Sequence, residues 1–277
     1  MNNISFYTFY SSDMGAFSKH VFSLFWQGKY RECVELYKIP LKLYAGNILC
    51  LGMNDALIYH HCSFLINQDI LHDLKIPSPP TKSEIINLYE YEASQEKLLH
   101  KLSGKNILSQ PSILHKAILA ARAGIVTDCE ECIETGTNLG MSSFLFSGSF
   151  DSVETIEADK NLHATSSRWL NKKSGKIINC HLGNSAFHLE SILSNKTKKQ
   201  LIFLDAHYSS GITSKEYGEC PLLEELSLIF QSSIPCTIVV DDIRLMGSPN
   251  WPDIKDILNL IPQGKQIIIE HDQMIIS

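Results

Sequence analysis

Three aspartates are placed to do chemistry together: Asp205 and the adjacent pair Asp241 and Asp242. Each follows a run of apolar, β-forming residues, Leu201-Ile202-Phe203-Leu204 in one case and Thr237-Ile238-Val239-Val240 in the other. Such runs suit buried parallel strands, so the three carboxylates would stand at adjacent strand ends. Unpaired, they would repel and shift one another's pKa. A hard divalent ion with oxygen-only ligation (magnesium, calcium or manganese) would neutralise them. It could also bind two vicinal oxygens of a substrate, lower a hydroxyl pKa and orient that oxygen for attack. The competing arrangement pairs Asp242 with Arg244 and needs no metal. His207, two residues past Asp205, is a neutral imidazole near pH 7 and suits the part of a general base for a hydroxyl; its bland alternative is a neighbour of the metal.

A second set of residues reads as a ligand cradle. Glu134-Thr135-Gly136-Thr137-Asn138-Leu139-Gly140-Met141-Ser142-Ser143 passes from a strand end through a glycine turn into a helix start. Glycines let the backbone approach a ligand closely, and a helix start offers unpaired N–H groups. A dinucleotide fingerprint carries three glycines, G-x-G-x-x-G. Only Gly136 and Gly140 are present here, which argues against a pyrophosphate and a nicotinamide cofactor.

The elements that must position these residues alternate. Strand candidates at Cys132-Ile133, Val153–Glu157, Lys176–His181, Leu201–Leu204 and Thr237–Val240 are separated by helical stretches at Ser142–Phe146, Lys160–Asn171, Ser185–Leu193 and from Pro221 onwards. Trp251-Pro252 is expected to open a further helix, and Gln266–Glu270 with Gln273–Ile276 to form a terminal hairpin around His271-Asp272. This alternation predicts an α/β fold with a mostly parallel sheet covered on both faces by helices. Ligands sit outside the carboxyl ends of such strands. Five consecutive strands end there in polar residues: Glu134, Glu157, Gly183-Asn184-Ser185, Asp205 and Asp241-Asp242.

Over about Ile107 to Ser277 the chain resembles class I SAM-dependent methyltransferases. The matching residues are Glu134-Thr135-Gly136-Thr137-x-x-Gly140-x-Ser142, Ile156-Glu157, Gly183-Asn184-Ser185 and Leu204-Asp205. The resemblance implies a Rossmann-like seven-stranded sheet with an antiparallel last strand. It also implies S-adenosylmethionine as cofactor, with the glycine turn at its methionine half, Glu157 on the ribose diol, Asn184 and Ser185 at the adenine edge, and Asp205 near the donor. Ser185 is alternatively, or also, a helix N-cap. Within the class, Asp205, Asp241 and Asp242 look like the divalent-metal triad of catechol-type and macrolide-sugar O-methyltransferases. The segments Phe203–Gly211, Cys220–Leu226 and Val240–Leu245 are similar to a bacterial family of such proteins. In catechol-type relatives a lysine just after the aspartate acts as base; this chain has Tyr208 there, which leaves His207 as the candidate. The implied reaction is O-methylation of a hydroxyl on a small molecule or sugar, assisted by a divalent cation such as Mg2+. A metal-independent methyltransferase and a non-catalytic binding protein on the same fold are the alternatives.

Residues 1–105 read differently. Phe17, Val21, Leu24 and Phe25; Tyr30, Cys33, Val34 and Tyr37; and Leu57, His61, Phe64 and Leu65 form helical stripes. Thr81-Lys82-Ser83-Glu84 is a capping box for a helix expected to run to Gly104, and Pro111 is expected to start another that ends at Gly124. This helical part is expected to cap the sheet of a domain spanning 106–277, or to offer a face for a homo-oligomer. His60, His61 and His72 read as packed or surface residues, and Pro77-Ser78-Pro79-Pro80 as a linker. With 277 residues no covalent staple is needed, and the eight cysteines show no framework spacing. Cys129-x-x-Cys132 reads as packing. Reduced thiols and a cytoplasmic location are expected, without a signal peptide or a membrane span. The net charge is −6, and the one basic cluster, Lys196-x-Lys198-Lys199, is placed away from the ligand end of the sheet. Nucleic-acid substrates are therefore disfavoured.

Overall fold

The structure, a computed structural model, describes residues 16–43, 52–68, 70, 76, 78–91, 113–206 and 220–277. His207, Tyr208, His72, Pro77, Pro111 and residues 92–104 lie outside them. Helices α1 (Ala16–Trp26), α2 (Tyr30–Leu43) and α3 (Gly52–Leu65) come first, followed by helical residues 82–91, here α4. Helix α5 (Ile113–Val126) leads into β1 (Glu131–Thr135), α6 (Met141–Ser149), β2 (Val153–Glu157), α7 (Lys160–Lys173), β3 (Ile178–Leu182) and α8 (Ser185–Ser194). The chain ends with β4 (Gln200–Leu204), α9 (Leu222–Gln231), β5 (Cys236–Val240), α10 (Ile254–Leu260), β6 (Ile267–Glu270) and β7 (Gln273–Ile276).

Among the described residues seven strands form one sheet in the order β3-β2-β1-β4-β5-β7-β6. The pairs from β3 through to β5 are parallel, and β7 runs antiparallel to both β5 and β6. This is the Rossmann-like methyltransferase sheet that the resemblance implies, with the reversed strand β7 inserted between β5 and β6.

Strand alternation divides the core. On one face Cys132, Val153, Leu201, Phe203, Val239 and Ile275 pack under α5, α6 and α7. On the other Ile133, Ile156, Ile202, Leu204, Ile238 and Val240 pack under α8, α9 and α10. The first of these cores is continuous with the N-terminal helices, whose Val21, Phe25, Tyr37, Leu57 and Ile85 belong to it. His61 is buried, with Nδ1 2.6 Å from Thr165 Oγ1 on α7.

Four local expectations change. Gly124 does not end α5 but lies within it, because a Cβ there would stand 2.9 Å from Phe150 and 3.1 Å from Leu201; it lets the helix lie close to the sheet. Pro252 does not open α10, which Asp253 caps by accepting from Lys255 N. The Pro79-Pro80 backbone is not a loose linker: a Cβ on Gly148 would meet Pro80 O at 2.1 Å, and Ser149 Oγ donates to that carbonyl at 3.3 Å. At α8 the N-cap is Asn184, which accepts from Phe187 N at 3.0 Å, and Ser185 is the first helical residue. The capping box does form, with Thr81 N donating to Glu84 Oε2 at 2.9 Å.

Candidate functional site

The glycine turn is shaped by its neighbours. Gly136 has φ +91°, and a Cβ on it would lie 2.5 Å from the Asp205 carbonyl oxygen, so the end of β1 and the end of β4 touch through backbone alone. Gly136 N and Thr137 N both donate to Ile156 O, at 2.9 and 3.1 Å, which ties the turn to β2. Gly140 has φ +85° and faces Leu170 and Trp169, whose indole Nε1 donates to Leu139 O at 2.9 Å. The turn ends with α6 starting at Met141 without a side-chain cap, so its first amides keep their donor capacity.

Several expected site residues point inward. Glu134 is fully buried and accepts from Thr155 Oγ1 at 2.7 Å and from Ser143 Oγ. Burial pushes its carboxyl up to about 7 against the opposing hydroxyls of Ser142, Ser143 and Thr155. It braces the turn against α6. Thr137 bonds to Thr155, Oγ1 to Oγ1 at 2.6 Å, and does the same work.

Glu157 accepts Asn138 N at 2.7 Å on one oxygen and Asp159 N at 2.8 Å on the other. Burial raises it to about 7 despite these amides. Each carboxylate oxygen has a second acceptor direction, so a ribose diol could share it with the turn. Gly183, φ +139°, donates to Glu157 O at 2.9 Å and holds the β3 end beside it.

Asp205, Asp241 and Asp242 come together as expected: one carboxylate oxygen from each lies within 4.8 Å of the others. They do not stand alone. Lys116, in the first turn of α5, places Nζ 2.8 Å from Asp241 Oδ2, in contact with Asp242 Oδ1 and 3.7 Å from Asp272 Oδ2. Arg244 Nη1 lies 2.5 Å from Asp242 Oδ1 and also pairs with Asp272. Gln273 Nε2 donates to Asp241 Oδ1 at 3.1 Å, so both Asp241 oxygens accept from the protein. Burial pushes Asp241 up to about 7, helped by Asp205 and opposed by Lys116. Burial would lower the Lys116 ammonium, but Asp241 and Asp242 outweigh it and hold the pKa above the usual lysine range.

This donor set suits a hard divalent ion in kind. The seated ammonium opposes it. An ion on the Asp241 oxygen would stand roughly 4–5 Å from Nζ, and at an effective dielectric of about 20 that repulsion is about 7 kcal/mol. As arranged, the residues fit a lysine cation better than a second, divalent one.

Two members of the site escape sequence reasoning. Lys116 is 125 residues from Asp241, and nothing local marks it except a cation in a helix's first turn, where the macrodipole disfavours it. The other is Glu225 of α9, 1% exposed. Its carboxyl faces Ser185 and Thr135, and burial pushes it up to about 7. A cavity at the ends of β4 and β5 is walled by Leu204, Asp205, Leu222, Glu225, Val240, Asp241 and Trp251. His207 lies outside the described residues.

Strand order and the reversed strand β7 thus define a methyltransferase-type sheet with polar residues gathered at its carboxyl edge. No family model matches the chain, and no curated protein matches it. Among solved structures it is similar to an O-methyltransferase from Bacillus cereus in complex with S-adenosylhomocysteine, at 16% identity over 74% of this chain and 93% of that one, with a TM-score of 0.44. It is also similar to TomG from Streptomyces achromogenes, an O-methyltransferase involved in tomaymycin synthesis and bound to S-adenosylmethionine (15% identity, 66% and 86% covered, TM-score 0.43). A third is the Podospora anserina methyltransferase PaMTH1 bound to S-adenosylhomocysteine, at 12% identity, 70% and 86% coverage and a TM-score of 0.46.

Proposed function

We propose that the chain is a SAM-dependent methyltransferase acting on a hydroxyl of a small molecule or sugar. The observation that carries this reading is the gathering, at one edge of a β3-β2-β1-β4-β5-β7-β6 sheet, of the glycine turn, Glu157, Asn184-Ser185, Asp205 and the Asp241-Asp242 pair. The turn and the uncapped start of α6 receive the methionine half of the donor. Glu157 accepts from the ribose, and Asn184 and Ser185 flank the adenine. Asp205 stands between donor and acceptor, and His207, two residues further along the chain, takes the hydroxyl proton. The acceptor oxygen attacks the methyl carbon as the carbon–sulfur bond breaks. The protein's main contribution is alignment, which can lower a barrier by up to roughly 7–11 kcal/mol in favourable cases.

The acidic centre needs a cation beside the acceptor. In one form that cation is divalent, magnesium by its oxygen-only donors, held by Asp205, Asp241 and Asp242; the three oxygens within 4.8 Å favour it. When bound, such an ion supplies Lewis-acid polarisation of the acceptor hydroxyl. It requires Lys116 to withdraw. In the other form the transfer is metal-independent.

Calorimetric titration of the full chain with S-adenosylmethionine tests the reading. Binding is expected, and saturation at about 100 times Kd should stabilise the fold by about 2.7 kcal/mol. Glu157→Ala should abolish both effects. A chain that binds no SAM at millimolar concentration is not a methyltransferase. One that binds it but transfers no methyl to any hydroxyl in a panel of sugars and catechols supports a non-catalytic protein or a different acceptor atom.

A further inference from the structure

We propose that Lys116 is the resident cation of the acidic centre: its ammonium holds the position between Asp241 and Asp242 that a divalent ion would take. The inference rests on the methyltransferase reading only for the use the centre is put to; the assignment of the cation stands on geometry.

Helix α5 is antiparallel to β1, which follows it after a short connection, so its N-terminal turn lies at the carboxyl edge of the sheet. Leu114, Ala117, Ile118 and Ala121 of that helix are buried against the strands. Lys116 lies between them in sequence and reaches Asp241 at 2.8 Å, Asp242 in direct contact and Asp272 at 3.7 Å. Its side chain is 12% exposed. A cation in the first turn of a helix opposes the helix dipole, and burying an ammonium is costly unless it is paired. Both penalties are met at one residue, and the carboxylates are what offset them.

Lysine suits the task. It is a compact point charge with three donors on a flexible stem, which matches three carboxylates around one position. Arg244 closes the outer side by bridging Asp242 and Asp272. Gln273 occupies the remaining Asp241 oxygen at 3.1 Å. Asp205, on the neighbouring strand, completes the cluster and faces the cavity with Glu225. An acceptor docking there meets a fixed positive charge supplied by the chain itself, and its binding is independent of chelators.

Titration of the full-length protein with Mn2+, followed by the paramagnetic resonance of the free ion, tests the assignment. The wild-type chain is expected to take up no stoichiometric Mn2+. The Lys116→Met variant, relieved of the ammonium, is expected to take up one equivalent, which adding Asp241→Asn removes. Lys116→Arg should behave as the wild type. Uptake of one equivalent by the wild type, abolished by Asp241→Asn, would overturn the proposal, as would a folded Lys116→Met variant that holds no Mn2+. The wild-type titration decides even where the methionine variant fails to fold. Calorimetry with S-adenosylmethionine separates the two readings. Absence of SAM binding removes the methyltransferase and leaves the Lys116 assignment; stoichiometric Mn2+ on the wild type does the reverse.

Discussion

Replacing Gly136 by alanine should damage this protein more than the same change at any open glycine. At φ +91° an L-residue is in the left-handed region, which costs roughly 1–2 kcal/mol. The new Cβ would also stand 2.5 Å from the Asp205 carbonyl oxygen and 2.9 Å from its carbon. Those are backbone atoms in a strand end fixed by Asp205 N donating to Thr135 O at 3.0 Å, so relief requires moving β4 away from β1. Overpacking of that kind adds about 1–3 kcal/mol, and the total is about 2–5 kcal/mol.

Two other glycines calibrate the estimate. Gly175, φ +69°, has nothing within 4 Å of the added Cβ, so Gly175→Ala should cost only the conformational part, about 1 kcal/mol. Gly140, φ +85°, meets the Leu170 side chain at 3.0 Å and should fall between, since a side chain can yield. Urea unfolding of the three variants gives the ranking directly, and Tm should fall by about 2–4 °C for each kcal/mol. If Gly136→Ala costs no more than Gly175→Ala, the contact between the ends of β1 and β4 is not what holds the turn, and the account of the cradle fails.

Further outcomes follow from the buried acids and from Trp169. Glu225 titrates at about 7 in the fold and near 4.3 when unfolded. Its folded pKa is raised, so its contribution is complete below the unfolded value and is lost as pH rises through about 7. The loss is about 4 kcal/mol. Urea unfolding of Glu225→Gln should therefore show a smaller fall in stability between about pH 5 and pH 8 than the parent. An unchanged fall would show that the carboxyl is not strained by its burial. Glu134 and Glu157 titrate in the same direction, so the slope should flatten without vanishing. Trp169→Phe removes the donor to Leu139 O and should cost about 1–3 kcal/mol, with faster amide exchange across residues 137–140. Exchange unchanged there would show that the indole does not pin the turn.

The fold was legible because β4 and β5 carry near-continuous apolar runs and helical stripes alternate with the strands. Leu201–Leu204 and Thr237–Val240 announce themselves, and Gly136 with Gly140 marks a backbone shape that lets β1, β4 and α7 approach. The acids at the strand ends were legible for the same reason, since a run of buried residues that ends in a carboxylate has a defined edge. Partners that reach the site from another element were not. Lys116 lies beside the apolar stripe of α5 and reads as a solvated lysine until the helix is laid over β5. Glu225 reads as one of two surface acids, yet it follows Leu222 by three residues and shares its buried face. Gly124 looked like a helix end because a glycine's need for space and its need for positive φ leave the same letter in the sequence.

The core shared by the N-terminal helices and the sheet has a consequence for how the chain is made. Phe25, Tyr37 and Leu57 leave the ribosome well before Phe144 and Trp169, against which their cluster closes. His61 and its partner Thr165 are 104 residues apart, a delay of about 5–20 s at ordinary rates of synthesis. For that interval the apolar faces of α1, α2 and α3 lack Trp169 of α7 and the strands β4 and β5, which complete their cluster. The first third of the nascent chain thus waits, with part of its apolar surface uncovered, for the last third to complete the core.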